Sequence, residues 1–354
     1  MDAETRARRD RCTRFLSGDG AVAPAEHLAA IDPATVPDVY GEGGVVADLE
    51  AHVALLLGTE AAVFLPSGTM AQGATLRVHA DTRTSRTVLW HPTSHLELHE
   101  AQAHTRLHRL LGRPVGQAHR VITLADLRAV AEPVAALLLE LPQREIGGQL
   151  PGWDELVTQV GWAREVGAAV HLDGARLWEA SAGYGRSPAA IVELFDTVYV
   201  SFYKGIGALA GCCVAGSAVH VDQVREWRRR LGGTLHGLWP LAASALAHLD
   251  ERLGEMPARQ AHALAVGAAL ADVEGVTVVP PAPQAAMMHL LLRTTPERFA
   301  ANAQRLAEQE LTWVWPRAQA TVDPDVVRVE LSVGRATCRW EPAEVARVVG
   351  GLLG

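Results

Sequence analysis

The chain has 354 residues, 49% of them hydrophobic, and a formal net charge of −8 from 32 basic and 40 acidic side chains. That length supports a large domain and a smaller one, and the acidic balance argues against a nucleic-acid surface. No stretch approaches the roughly 20 uninterrupted apolar residues that a bilayer span needs, which argues against a membrane protein.

In chain order, Met1 to Arg14 carries five arginines and no apolar segment, so it is not read as a secretory signal. Gly18–Gly20 and Val36-Pro37 break up the first forty residues, which read as largely loop. A helix is predicted over Val46–Leu57, then a strand at Ala61–Leu65 leading into Pro66-Ser67-Gly68-Thr69 and a helix over Met70–Val78. Val88–Trp90 leads into a histidine-rich segment. Val134–Leu141 is an apolar run, followed by a helix over Trp153–Val166. Ala168–Leu172 ends in Asp173, and Thr197–Phe202 ends in Tyr203-Lys204, with Leu209–Ala215 close behind. Runs that are apolar throughout imply strands covered on both faces, hence a mostly parallel sheet between helices. In the C-terminal third, Val276–Pro280, Met287–Arg293, Leu311–Trp315 and Val326–Val333 read as strands. Pro296–Gln309 and Pro342–Leu353 read as helices. The predicted organisation is α/β: residues 21–250 form a large domain with a mostly parallel sheet, and residues 251–354 form a smaller α+β domain. Residues 1–20 associate with the smaller domain.

In open parallel sheets, ligand groups collect at the carboxyl ends of the strands. Lys204 follows one such strand, flanked by Gly205 and Gly207, and is the only lysine in the chain. It reads either as a solvated lysine or as a desolvated amine nucleophile with a lowered pKa. A composition that uses arginine everywhere else suggests that an amine is needed there. Asp173 ends another strand, and a buried carboxylate needs a partner: a protonated ring nitrogen, or Arg176 three residues on. Ser67-Gly68-Thr69 opens a helix, where amides favour a phosphate, although taken alone the motif is weak and a plain cap by Ser67 or Thr69 is the favoured account. His95 and His99 are four apart, as are His104 and His108. No HExxH pattern accompanies them, so no metal is assigned and most of the 15 histidines are read as surface residues. Arg328 interrupts an apolar strand and could fork onto a carboxylate, or pair with Glu330 on the same face. The cysteines Cys12, Cys212, Cys213 and Cys338 form no C-x-x-C pair and read as reduced thiols of a cytoplasmic protein.

Taken together, the segments resemble the threonine aldolase and β-eliminating lyase family, of the aspartate-aminotransferase-like (type I) pyridoxal-phosphate (PLP) fold. The matching pieces run in family order. They are Asp38-Val39-Tyr40-Gly41, Phe64-Leu65-Pro66-Ser67-Gly68-Thr69-Met70-Ala71, Ser94-His95 and His171-Leu172-Asp173-Gly174-Ala175-Arg176. Lys204-Gly205-Ile206-Gly207, Trp227-Arg228-Arg229 and the Arg328 strand complete the set. The resemblance implies that Lys204 holds PLP as a Schiff base, that Asp173 pairs with the pyridine nitrogen and that His95 stacks on the ring. Gly68 and Thr69, beside Ser67, would take the phosphate. Arg176 and Arg328, with Ser17, would hold the substrate carboxylate. Arg229 would contact a phosphate, often across a subunit boundary, and Tyr40 would line the partner's site. The implied assembly is a homodimer or homotetramer with shared active sites.

Three stretches depart from the family pattern. Where the family carries a histidine that contacts the β-hydroxyl, this chain has Glu140-Leu141-Pro142-Gln143-Arg144-Glu145, so Gln143 or Arg144 stands in the substrate region. His95 or a bound water is then left as the base for that hydroxyl. Phe202-Tyr203 replaces Leu-Ser ahead of the lysine, and Leu16-Ser17-Gly18-Asp19-Gly20 matches the N-terminal family motif loosely. The activity implied is retro-aldol cleavage of a β-hydroxy-L-amino acid (threonine, allo-threonine or a phenylserine-like analogue) to glycine and an aldehyde. The alternatives are β-elimination, other chemistry at Cα, or a non-catalytic PLP-fold protein.

Overall fold

The computed structural model describes residues Met1–Gly354, which divide into two compact units. The larger holds Pro24–Glu145 and Leu150–Gly254; the smaller holds Met1–Ala23, Ile146–Gln149 and Glu255–Gly354.

The larger unit is built on seven strands: β1 (Ala61–Leu65), β2 (Thr87–Trp90), β3 (Leu111–Pro114), β4 (Ala136–Glu140), β5 (Ala169–Gly174), β6 (Thr197–Ser201) and β7 (Cys212–Gly216). Their order across the sheet is β1-β7-β6-β5-β4-β2-β3. Only β7 runs against its neighbours, antiparallel to both β1 and β6. Every residue of β5, β6 and β7 is buried, as expected of strands with helices on both faces. On one side Ala71, Ala74 and Val78 of helix Gly68–Asp81 and Val221 and Val224 of helix Ala218–Arg230 meet Val63, Leu65 and Val214 of the sheet. Leu76, Val88, Trp90, Leu96 and Leu138 form a second cluster. Helix Gly44–Leu57 stops where Gly58 turns left-handed at φ 66°, its N–H reaching Ala54 O and Leu55 O. Only glycine takes that conformation without a Cβ penalty. The register sets Glu140 opposite Asp173, and Asp173 opposite Tyr199, at the carboxyl ends of β4, β5 and β6.

The smaller unit holds a four-stranded antiparallel sheet of β8 (Val276–Val279), β9 (Met287–Arg293), β10 (Gln319–Ala320) and β11 (Val326–Ser332), in the order β10-β11-β9-β8. Its core includes Leu290, Leu292, Phe299, Leu306, Val327 and Leu331. Leu16 joins that core, and Arg14–Phe15 pairs in parallel with Thr312–Trp313.

Several elements differ from the sequence expectation. The first forty residues contain helices Ala3–Arg11 and Pro24–Ala29 rather than loop alone. Ala3–Arg11 has no buried residue, so it carries no apolar periodicity; Asp2 caps it by accepting from Thr5 N. The C-terminal expectation of a strand over Leu311–Trp315 shrinks to Thr312–Trp313. Strand β3 is an exposed edge with no apolar alternation, which is why it left no signal. A helix over Trp239–Ala271 also went unseen, because Pro257 interrupts its pattern. The surface expectation fails for about half of the histidines: seven of the 15 are buried, five are half-buried, and His99, His119 and His236 are exposed. No group of three or more His, Cys, Asp or Glu side chains is arranged to hold a metal, and no helix is long and apolar enough to cross a membrane.

Candidate active site

The carboxyl ends of the central strands open into a cavity of about 220 Å³ within the larger unit. Asp173 enters it from β5, and Tyr203 and Lys204 enter from the turn after β6. Ser67, Gly68 and Thr69 line it from the turn and helix after β1. His95 and Glu100 arrive from the segment that follows β2, with Tyr199 and Gln72 completing the wall.

Electrostatics make the amine and the carboxylates an interacting set. Burial holds the Lys204 ammonium below the ordinary lysine value, against the pull of Asp173 in the other direction. Asp173 is 2% exposed, and burial pushes its carboxyl up, with Lys204 as the largest opposing charge. Its one hydrogen bond is from Ala175 N to Oδ1, at 3.1 Å. A buried carboxylate so thinly satisfied calls for a cation. Glu140, beside it in the register, is pushed up to about 7 by burial and by the Asp173 charge. Its carboxylate accepts from Arg144 N at 3.2 Å, Gln143 Nε2 at 3.2 Å and His95 N at 3.4 Å, and so ties the His95 backbone to β4. His95 Nδ1 lies 3.1 Å from Glu100 Oε1, whose side chain is 1% exposed. That hydrogen bond raises the imidazole pKa, while burial raises that of Glu100. The Nδ1–H donates to Glu100, which leaves Nε2 as the basic nitrogen.

The helix start is built for an anion. Ser67 is the N-cap residue of helix Gly68–Asp81, yet its side chain makes no capping hydrogen bond. The plain-cap reading of this serine therefore fails. A Cβ at Gly68 would collide with the Tyr199 hydroxyl, so only glycine lets the helix start lie this close to β6. Free amides, two hydroxyls, an amine and a buried carboxylate with one hydrogen bond together fit pyridoxal phosphate.

The other residues singled out from sequence do not line this cavity. Arg176 is the N-cap residue of helix Leu177–Tyr184, and its charge acts on both Lys204 and Asp173. Gln143 is 4% exposed and stands behind the cavity, on Glu140. Tyr40 is 54% exposed, left-handed at φ 55°, and edge-on to His236 at 5.2 Å. Arg229 is exposed; its neighbour Arg228 is the buried guanidinium, donating to Phe64 O at 2.8 Å. Ser17 and Arg328 belong to the smaller unit. There Ser17 Oγ accepts from Ser332 N at 3.1 Å, and Arg328 Nε donates to Gln319 Oε1 at 3.0 Å. Sequence reasoning missed Glu100, Gln72 and Tyr199. Glu100 looks like any surface acid, and Gln72 signals itself only by lying four residues beyond Gly68 on the same helix face.

The profile of the β-eliminating lyase family matches residues 26–292. The chain belongs to that family. An Arabidopsis thaliana member named "Probable low-specificity L-threonine aldolase 2" is 30% identical over 317 residues, covering 86% of this chain and 88% of its own. A solved Listeria monocytogenes EGD-E structure, described as a "putative L-allo-threonine aldolase", is 37% identical with a TM-score of 0.92. It covers 98% of this chain and 97% of its own. A second, from Exiguobacterium sp. 255-15, described as a "putative aromatic amino acid beta-eliminating lyase/threonine aldolase", is 34% identical with a TM-score of 0.92, covering 98% of both chains. This lyase has the type I fold of PLP-dependent enzymes, with its mostly parallel sheet and a small antiparallel one.

Proposed function

We propose that the protein cleaves a β-hydroxy-L-amino acid, such as threonine, allo-threonine or a phenylserine-like substrate, to glycine and an aldehyde, using pyridoxal phosphate. The observation that carries this is one cavity receiving Lys204, Asp173, the Ser67–Thr69 turn and the His95–Glu100 pair. When bound, the coenzyme supplies a cationic ring that accepts the electron pair left on Cα as the Cα–Cβ bond breaks. Lys204 holds the coenzyme aldehyde, and its lowered pKa makes the neutral amine accessible. Asp173 stays anionic against the protonated ring nitrogen. Ser67, Gly68 and Thr69 receive the phosphate. His95 accepts the β-hydroxyl proton at Nε2, which offsets the lack of a histidine where Gln143 stands. Arg176 holds the substrate carboxylate, and the family resemblance adds Arg328 and Ser17 to that task. Tyr40 and Arg229 serve the site of a partner copy in a cytoplasmic homodimer or homotetramer.

Purified protein supplied with the coenzyme releases glycine and an aldehyde from a panel of β-hydroxy amino acids. A panel that yields no glycine from any member sinks the proposal. Ammonia and a keto acid in place of glycine would assign the protein to β-elimination instead.

Glu100→Gln separates its role from mere packing. Glu100 raises the His95 pKa, so its loss lowers it. The acid limb of the pH profile of kcat/KM then moves to lower pH, because His95 sheds its proton earlier. Activity at the optimum falls about tenfold as the imidazole loses its fixed tautomer. An acid limb that stays in place, or moves upward, would remove His95 from the role of base.

A further inference from the structure

Behind the cavity lies a buried polar chain that the proposed reaction does not use. Gln72 Oε1 is 2.7 Å from His171 Nε2. His171 Nδ1 is 2.8 Å from Thr197 Oγ1, and the same hydroxyl is 2.8 Å from His79 Nε2. Relative exposures are 2% for Gln72, 0% for His171, 1% for Thr197 and 5% for His79. The ring of His220 lies 4.3 Å from that of His79.

The chain has a direction. An amide oxygen only accepts, so His171 carries its N–H at Nε2. Burial pulls the His171 pKa down to about 3 and holds His79 well below the ordinary histidine value, so both rings are neutral near pH 7. A neutral ring protonated at Nε2 accepts at Nδ1, and the only donor there is the Thr197 hydroxyl. Thr197 Oγ1 must then accept from His79 Nε2–H. The donations run from His79 through Thr197 and His171 to the Gln72 carbonyl. This chain is no proton path, since an amide does not relay protons and its imidazoles stay neutral. Its direction follows from the Gln72 carbonyl facing His171, and the chain holds the amide in that orientation. The carbonyl is tied to His171, and the amide nitrogen is the polar end left for the cavity that Gln72 lines.

We propose that Gln72 is a further cofactor-binding residue, donating its amide N–H to an acceptor oxygen of the pyridoxal phosphate. His171, Thr197 and His79 are positioning residues that hold that donor in its direction. The proposal rests on the reading of the cavity as a coenzyme site. Four residues separate Gln72 from Gly68, one helical turn, so the donor stands on the helix whose start takes the phosphate.

The test is a titration of cofactor-free protein with pyridoxal phosphate, followed by near-visible absorbance, beside the thermal midpoint of the same cofactor-free protein. Gln72→Met is expected to weaken coenzyme affinity about fivefold, as is usual for one neutral hydrogen bond. Gln72→Glu keeps an oxygen for His171 but offers the cavity no N–H, so it weakens binding at least as much. Thr197→Val cuts the chain and weakens binding too, and the double variant with Gln72→Met is no weaker than Gln72→Met alone. Unchanged affinity in the Gln72 variants overturns the donor. Unchanged affinity in Thr197→Val, or additive losses in the double variant, overturns the positioning chain. A wild type that takes up no coenzyme overturns both this inference and the proposed function, whereas uptake by wild type and Gln72→Met alike overturns this inference alone.

Discussion

Lys204→Ala is expected to abolish the near-visible absorbance of the coenzyme-loaded protein and to lower activity by about three orders of magnitude or more, the scale seen when a covalent catalytic group is lost. Lys204 is the only lysine in 354 residues, which makes the experiment unusually clean. Borohydride reduction of the loaded wild type should leave the coenzyme covalently attached to a single peptide, the one containing Tyr203 and Lys204. The variant should retain none. The environment favours the neutral amine: burial lowers its pKa, and Arg176 adds to the effect, while Asp173 limits it. A variant that keeps both the absorbance and the glycine-forming activity would show that another group carries the coenzyme, and would end the account of this cavity.

The larger sheet was legible because its central strands are fully buried. Thr197–Ser201 and Ala169–Gly174 read as apolar runs in sequence, and each ends in a polar residue where the parallel sheet opens. That pattern alone brought attention to Asp173 and Lys204, and the ordered family motifs supplied their implied roles. Two residues of the cavity wall were not legible. Glu100 is a polar residue in the loop after helix His95–Leu98 and Gln72 one on helix Gly68–Asp81, and what sets them apart is a contact five residues back to His95 and one across the fold to His171. The antiparallel course of β7 also escaped notice, since a buried strand has the same composition in either direction. In the smaller unit, the N-terminal helix is held by polar capping and by ion pairs such as Arg8–Glu308, at 3.2 Å, which leave no hydrophobic period to read.

Asp173→Asn is expected to separate stability from catalysis, with opposite signs. Without coenzyme, burial raises the Asp173 pKa above its unfolded value. A carboxylate so shifted costs stability at neutral pH, and the cost fades as pH falls through the folded-state value. Cofactor-free Asp173→Asn should therefore melt at a higher temperature than wild type at pH 7, with the gap closing in acid. With coenzyme bound, the ring cation gives the carboxylate its partner, so wild type gains more thermal stability from loading than the variant does. Catalysis depends on that same partner. An amide cannot hold the ring nitrogen protonated, and losing one member of a buried charged pair costs about 3–5 kcal/mol, or roughly three orders of magnitude in rate. Calorimetry with and without coenzyme, alongside glycine-release kinetics, measures both signs. An Asn variant less stable than wild type in both states at pH 7 would mean that the carboxylate is satisfied within the protein, and that the cavity holds no cation for it to face.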